Sequence, residues 1–243
     1  MSADPPPPIY VGYLPLPPRH KRLLAIALPT LALFVVAVAA AIATLQHSPP
    51  AAAWSSDIST HTGILLATPY PMLLTDDPTD PPILLVRQNK HGALGLHSLH
   101  AQRVEIRGTL ITRDNARILE LSPDTQPRPV PGPTLQPGPE VLTHVTLRGE
   151  IVDSKCCLGA MKPGEGKAHR ACATLCIRGG IPPILVSAEG AVTLYTFLTD
   201  ANGNPANTMV LDSIAEPVEV TGTLSLRDHT RTLAIERIDR LAD

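Results

Sequence analysis

Two stretches decide the fold: VEIRGTLITRDNARIL at residues 104–119 and VEVTGTLSLRDHTRTL at residues 218–233, identical at nine of sixteen positions without a gap. Each alternates apolar and polar residues on both sides of an Arg-Asp-x-x-Arg turn, and a period of two around turn formers predicts a β-hairpin. The second strands run out through Leu119-Glu-Leu and Leu233-Ala-Ile. The chain therefore carries an internal repeat, and each copy closes with a hairpin.

Upstream, Thr62-Gly63-Ile-Leu-Leu-Ala overlays Arg148-Gly149-Glu-Ile-Val-Asp, and Pro81-Pro82-Ile-Leu-Leu-Val overlays Pro182-Pro183-Ile-Leu-Val-Ser. The offset between copies grows from 86 to 101 to 114. This predicts two insertions in the second copy, with every cysteine in the first of them. Five or six short strands per copy suit a small antiparallel barrel of the oligonucleotide/oligosaccharide-binding (OB) type, with an SH3-like barrel as runner-up. The expected fold is mainly β: an N-terminal transmembrane helix, then two small OB-like barrels, the second with an inserted cysteine-containing helix. Seven prolines in residues 122–140 and no apolar period read as a semi-rigid spacer. The expected division is a proline-rich cytoplasmic tail (1–22), a membrane helix (23–45), a linker (46–57), a first barrel (58–122), a second linker (123–140) and a second barrel (141–243).

Residues 23–45 contain 23 residues without a charge, and about 20 residues at 1.5 Å rise cross a hydrocarbon core. Arg19, His20, Lys21 and Arg22 precede them with no comparable cluster after. The positive-inside rule then keeps the N-terminus in the cytoplasm and places the barrels in the periplasm, with the inner membrane as a partner. The alternative is a cleaved signal peptide, because Ala41, Ile42 and Ala43 form an A-x-A pattern, although 23 residues is long for such a segment. Prolines 5–8 favour polyproline II in a tail that cannot form a core.

The whole chain of 243 residues is 44% apolar and 17% charged, which excludes a disordered protein. A net charge of −2 and 3% aromatic residues remove the basic field and the stacking platforms of a nucleic-acid binder. No Gly-x-Ser-x-Gly, phosphate loop or Rossmann fingerprint is present, so neither hydrolase nor nucleotide chemistry is supported, and the balance leans away from an enzyme while leaving the question open.

All four cysteines lie in residues 156–176, within GEIVDSKCCLGAMKPGEGKAHRACATLCIRGGIPPIL at residues 149–185. A strand runs into Asp153-Ser-Lys-Cys156-Cys157, and residues 167–178 read as a helix ended by Gly179-Gly180 with Pro182 beyond. At 100° per residue, His169, Cys172 and Cys176 share one face of that helix. With Cys156 brought over that face, three sulfurs and one nitrogen form a donor set suited to zinc, copper(I) or iron, and Asp153 is placed to orient His169 from behind. Two alternatives stand beside this: a disulfide staple and thiol redox exchange, each drawing on Cys156, Cys157, Cys172 and Cys176. The functional expectation is a membrane-anchored periplasmic accessory protein that binds or relays a metal or redox cofactor for a membrane or periplasmic partner enzyme. The competing expectation is a disulfide-stapled structural subunit without a cofactor.

Asp153, Cys156, His169, Cys172, Ala173, Cys176, Ile177, Gly180 and Pro182 together make a pattern Asp-x-x-Cys, His-x-x-Cys-Ala-x-x-Cys-Ile, Gly-x-Pro. In this segment the chain resembles a group of exported, uncharacterised bacterial proteins, over residues 145–238 and more weakly over 60–121. The resemblance implies a barrel-type domain outside the inner membrane and no established activity. An aromatic commonly follows the first cysteine in that group, where this chain has Cys157. Elsewhere, His91, His97 and His100 read as solvated loop residues, and Asp76, Asp77 and Asp80 as turn residues rather than a calcium loop.

Overall fold

The computed structural model describes residues 16–45, 52–77, 79–132, 138–190 and 192–241. Most of the expected cytoplasmic tail and parts of both expected linkers lie outside these residues. The chain forms a helical unit ending before residue 50 and a compact β unit from residue 50 onward. The helical unit contains α1 (Pro18–Leu45), whose interior includes Pro29. Thr30 Oγ1 donates to the Ile26 carbonyl 2.8 Å away, one turn back along the same stretch. Among the described residues α1 is one helix long and apolar enough to cross a membrane, a character that a signal sequence shares.

The β unit holds two closed five-stranded barrels. The first is built from β1 (Ala53–Leu66), β2 (Met72–Thr75), β3 (Ile83–Val86), β4 (Arg103–Arg113) and β5 (Ala116–Leu121), closed by β1 pairing with β4. A two-residue strand, β6 (Arg128–Pro129), pairs with Val104 and Glu105 of β4, so part of the proline-rich segment lies on the first barrel. The second barrel uses β7 (Val141–Asp153), β8 (Pro183–Glu189), β9 (Val192–Thr199), β10 (Pro217–Arg227) and β11 (Thr230–Arg240). Its connectivity repeats the first: the third and fifth strands are parallel, as β3 with β5 and β9 with β11, and the other ladders are antiparallel.

The repeated sequence explains the repeated path. Both hairpins turn in two residues, with Asp114 at φ 50° and Asp228 and His229 at φ 45° and 60°. Asp and Asn tolerate this left-handed region better than other side chains. Gly63 and Gly149 sit where the first strand of each barrel runs between two neighbours. A Cβ there would fall 2.0 Å from Leu74 O and 2.1 Å from Val186 O, so only glycine lets the strands close. Core positions correspond as well. Leu65, Leu85, Val104 and Leu119 fill the first barrel where Ile151, Leu198, Val218 and Leu233 fill the second.

One expected anchor is corrected. Pro81-Pro82-Ile-Leu-Leu-Val leads into β3, the third strand of its barrel, whereas Pro182-Pro183-Ile-Leu-Val-Ser leads into β8, the second strand. Proline followed by aliphatics marks entry into a buried strand and says nothing about which strand it is. The second copy therefore carries one large insertion between its first two strands. Ile64 lies 10 positions from its β2 partner Leu74, and Glu150 lies 36 from its β8 partner Val186, an excess of 26.

The barrels share a third core cluster. Tyr70, Met72 and Ile118 of the first pack with Cys157, Leu158 and Ile184 of the second. The Tyr70 hydroxyl donates to the Leu198 carbonyl and accepts from Ala206 N–H at 3.0 Å, both across the junction.

Candidate metal centre

The insertion between β7 and β8 builds the site. β7 ends at Asp153, the chain turns through a π-helical turn at Cys156–Ala160, and a 3₁₀ turn at Lys167–His169 leads into α2 (Arg170–Arg178). Asp153 Oδ1 accepts the Cys156 N–H at 2.8 Å, which fixes the first cysteine at the strand end. Glu150 Oε1 accepts the Gly166 N–H at 2.6 Å and holds the returning loop. Burial pushes the Glu150 carboxyl above its usual range.

The expected helix starts three residues late. Residues 167–169 wind as 3₁₀, and His169 has φ −92° and ψ −10°, so the 100° rotation that puts it on one arc with Cys172 and Cys176 does not apply through it. The four expected donors consequently fall into two overlapping sets. Cys156, Cys172 and Cys176 have sulfurs within 4.8 Å of one another, and Asp153, Cys156 and His169 likewise bring O, S and N within 4.8 Å. Among the described residues no single set at that distance contains all four. His169 is buried, with Nε2 3.1 Å from Asp153 Oδ2.

Cys157 joins neither set. Its side chain packs in the core shared by the barrels, its carbonyl accepts from Arg113 Nη1, and burial pushes its thiol up to about 12. All four cysteines are free thiols in the structure, and the Cys156 and Cys176 sulfurs are 3.9 Å apart.

The first barrel contributes what the sequence reading passed over. Lys90, in the loop after β3, places Nζ 2.7 Å from Cys172 Sγ and 3.7 Å from Cys176 Sγ. The loop is held by Lys155, whose buried ammonium donates to the carbonyls of Arg87 and Asn89 at 2.9 and 2.8 Å and pairs with Glu120 of β5. It also abuts the end of α2 so closely that a Cβ on Gly179 would sit 1.9 Å from Lys90 O. His91 and His97 in this region are exposed, and exposed His100 accepts the Ala67 N–H through Nδ1 at 3.0 Å. Asp77 accepts from Thr79, and Asp76 and Asp80 pair with Arg103 and Arg117.

The electrostatics follow from this geometry. The hydrogen bond with Cys156 lowers the Cys176 thiol below its ordinary value, with Lys90 assisting, and the same bond together with burial raises Cys156. Of the two, Cys176 is the sulfur whose surroundings favour the thiolate. Contact with Cys172 raises Lys90, keeping it an ammonium. The sulfurs open onto a cleft of about 790 Å³ between the barrels, lined also by Trp54, Lys155 and Met161. Cys156 and Cys176 are buried and Cys172 is half-buried, so the cleft reaches the cluster mainly through Cys172.

Such an arrangement can do two things. Two thiolates on one tetrahedral ion at about 2.3 Å lie about 3.8 Å apart, and 3.9 Å separates Cys156 from Cys176. A disulfide needs about 2.05 Å, so oxidation requires the two sulfurs to close in, whereas an ion requires almost no movement. No family model, curated protein or solved structure matches the chain.

Proposed function

We propose that this chain is a membrane-anchored accessory protein that holds a zinc, copper(I) or iron ion on Cys156, Cys172 and Cys176 and passes it to a partner enzyme outside the cytoplasm. The observation that carries the reading is three sulfurs within 4.8 Å of one another, two of them 3.9 Å apart, beside an open cleft. Soft thiolates suit these ions, a coordination position left to the cleft suits handover, and the Lys90 ammonium offsets the negative charge of the thiolates. α1 would be the anchor, with Arg19, Lys21 and Arg22 keeping its start on the cytoplasmic side.

The test is ion retention by the reduced full chain in detergent micelles after exposure to zinc(II) or copper(I) and desalting. The wild type retains ion against a mild chelator, and Cys176→Ser retains less. A wild type that retains no more ion than Cys176→Ser overturns the proposal. The nearness of the two sulfurs also carries a second reading, a Cys156–Cys176 disulfide that staples the insertion once they close in from 3.9 Å. Thiol counting on oxidised protein separates the two: the staple leaves two free thiols and no bound ion.

A further inference from the structure

Asp153, Cys156 and His169 carry chemistry that a three-sulfur site does not use. These donors come from three different places, the end of β7, the π-helical turn and the 3₁₀ turn before α2, and converge within 4.8 Å of one another. Asp153 is 0% exposed, and His169 and Cys156 are each 4% exposed. Burying a carboxylate and an imidazole is costly unless each is fully compensated.

Oxygen and nitrogen ligands on a tetrahedral ion at about 2.0–2.1 Å stand about 3.3 Å apart, and Asp153 Oδ2 lies 3.1 Å from His169 Nε2. A hydrogen bond alone gives the same length. What separates the cases is the third donor: the Asp153 bond to the Cys156 N–H fixes that residue's backbone, yet neither it nor an orienting pair requires the Cys156 sulfur to lie within 4.8 Å of a His169 nitrogen as well. That same sulfur belongs to the Cys172 and Cys176 cluster, and thiolates bridge ions readily through their several lone pairs.

We infer that the insertion is a two-ion site in which Cys156 sulfur bridges a sulfur-rich position, completed by Cys172 and Cys176, and a mixed position formed by Asp153 and His169. The mixed O, N and S donor set selects a borderline divalent ion of the zinc type. The inference rests on the reading of the three cysteines as ligands. The two positions differ in access. Cys172 borders the cleft, while Asp153 and His169 lie behind Cys156, so the sulfur-rich ion is the exchangeable one and the mixed ion the retained one.

Zinc and cadmium stoichiometry of the reduced full chain in micelles tests this, read by elemental analysis per chain and by cadmium-113 resonance. The wild type takes two ions per chain and shows two cadmium signals, one shifted strongly downfield by sulfur and one less so. His169→Gln and Asp153→Asn each lower the count to one and remove the less shifted signal, Cys172→Ser spares that signal, and Cys156→Ser loses both. Because a buried substitution can prevent folding, the two wild-type cadmium signals stand as the readout independent of any variant. One ion and one sulfur-rich signal overturn the two-ion site and leave the proposed function intact. Two ions that survive His169→Gln overturn the assignment of the second position. No ion at all overturns the reading beneath both.

Discussion

The two barrels share strand order, closure, hairpin turns and core positions, yet differ in one connection. The first barrel passes from β1 to β2 through the five residues 67–71, while the second takes 29 residues, 154–182, between β7 and β8 and places all four cysteines there. The thiols sit in an insertion that leaves the strand pairing undisturbed, a connection on a rigid frame where added groups are tolerated. The cysteine-free barrel is more than a silent copy. It supplies Lys90, the Glu120 carboxylate that pairs with Lys155, and half of the junction core.

The comparison breaks most severely at Lys155. Its side chain is 4% exposed, and Lys155→Met leaves Glu120 and two carbonyls without their cation. Removing one partner of a buried pair costs about 3–5 kcal/mol. Urea unfolding of the full chain is expected to show that loss, along with release of the loop that carries Lys90. A loss within experimental error of zero would mean that the insertion does not depend on the first barrel.

Next come the matched core leucines. Leu119→Ala and Leu233→Ala remove equivalent fully buried side chains from the two barrels, at about 2–5 kcal/mol each. Because Tyr70, Leu158 and Ile184 form one cluster across the junction, both variants are expected to lower a single common unfolding midpoint. Two separate transitions, each moved by only one of the variants, would show that the barrels unfold independently.

The smallest effect is electrostatic and concerns pH. The Cys156 hydrogen bond lowers the Cys176 thiol and Lys90 adds to this, so thiolate is present at lower pH than for an ordinary cysteine. Lys90→Gln removes the second contribution and moves the onset of thiolate ultraviolet absorbance to higher pH. Cys157, pushed up to about 12, stays silent to alkylation in the native protein at neutral pH in both forms. An unchanged absorbance titration would show that the ammonium does not act on the sulfurs.

Much of this was legible in the sequence because it is local. The hairpins announced themselves by alternation around Arg-Asp-x-x-Arg, Gly63 and Gly149 by falling at the same place in the first repeated anchor, and α1 by 23 uncharged residues. Spacing put Cys172 and Cys176 on one helix face, while Cys156 joined them only on the supposition that the strand end comes over that face. His169 was placed with them by extending an α-helical repeat through a turn that is wound 3₁₀, a change of winding that composition does not mark. Lys90 was hidden for a different reason. It lies 82 residues from Cys172 in an ordinary polar loop, and only the mating of the two barrels gives it a partner. The mis-set middle anchor has the same origin, since strand order is a property of the closed barrel and not of the proline pair that opens a strand.

The junction core sets a practical limit on dissection. Cutting the chain before residue 138 to harvest the cysteine-bearing half would strip Tyr70 from its two backbone partners, lay Leu158 and Ile184 open to water, and remove the ammonium above Cys172. A fragment made that way would report on damaged goods; the proposed ion binding has to be measured on both halves together.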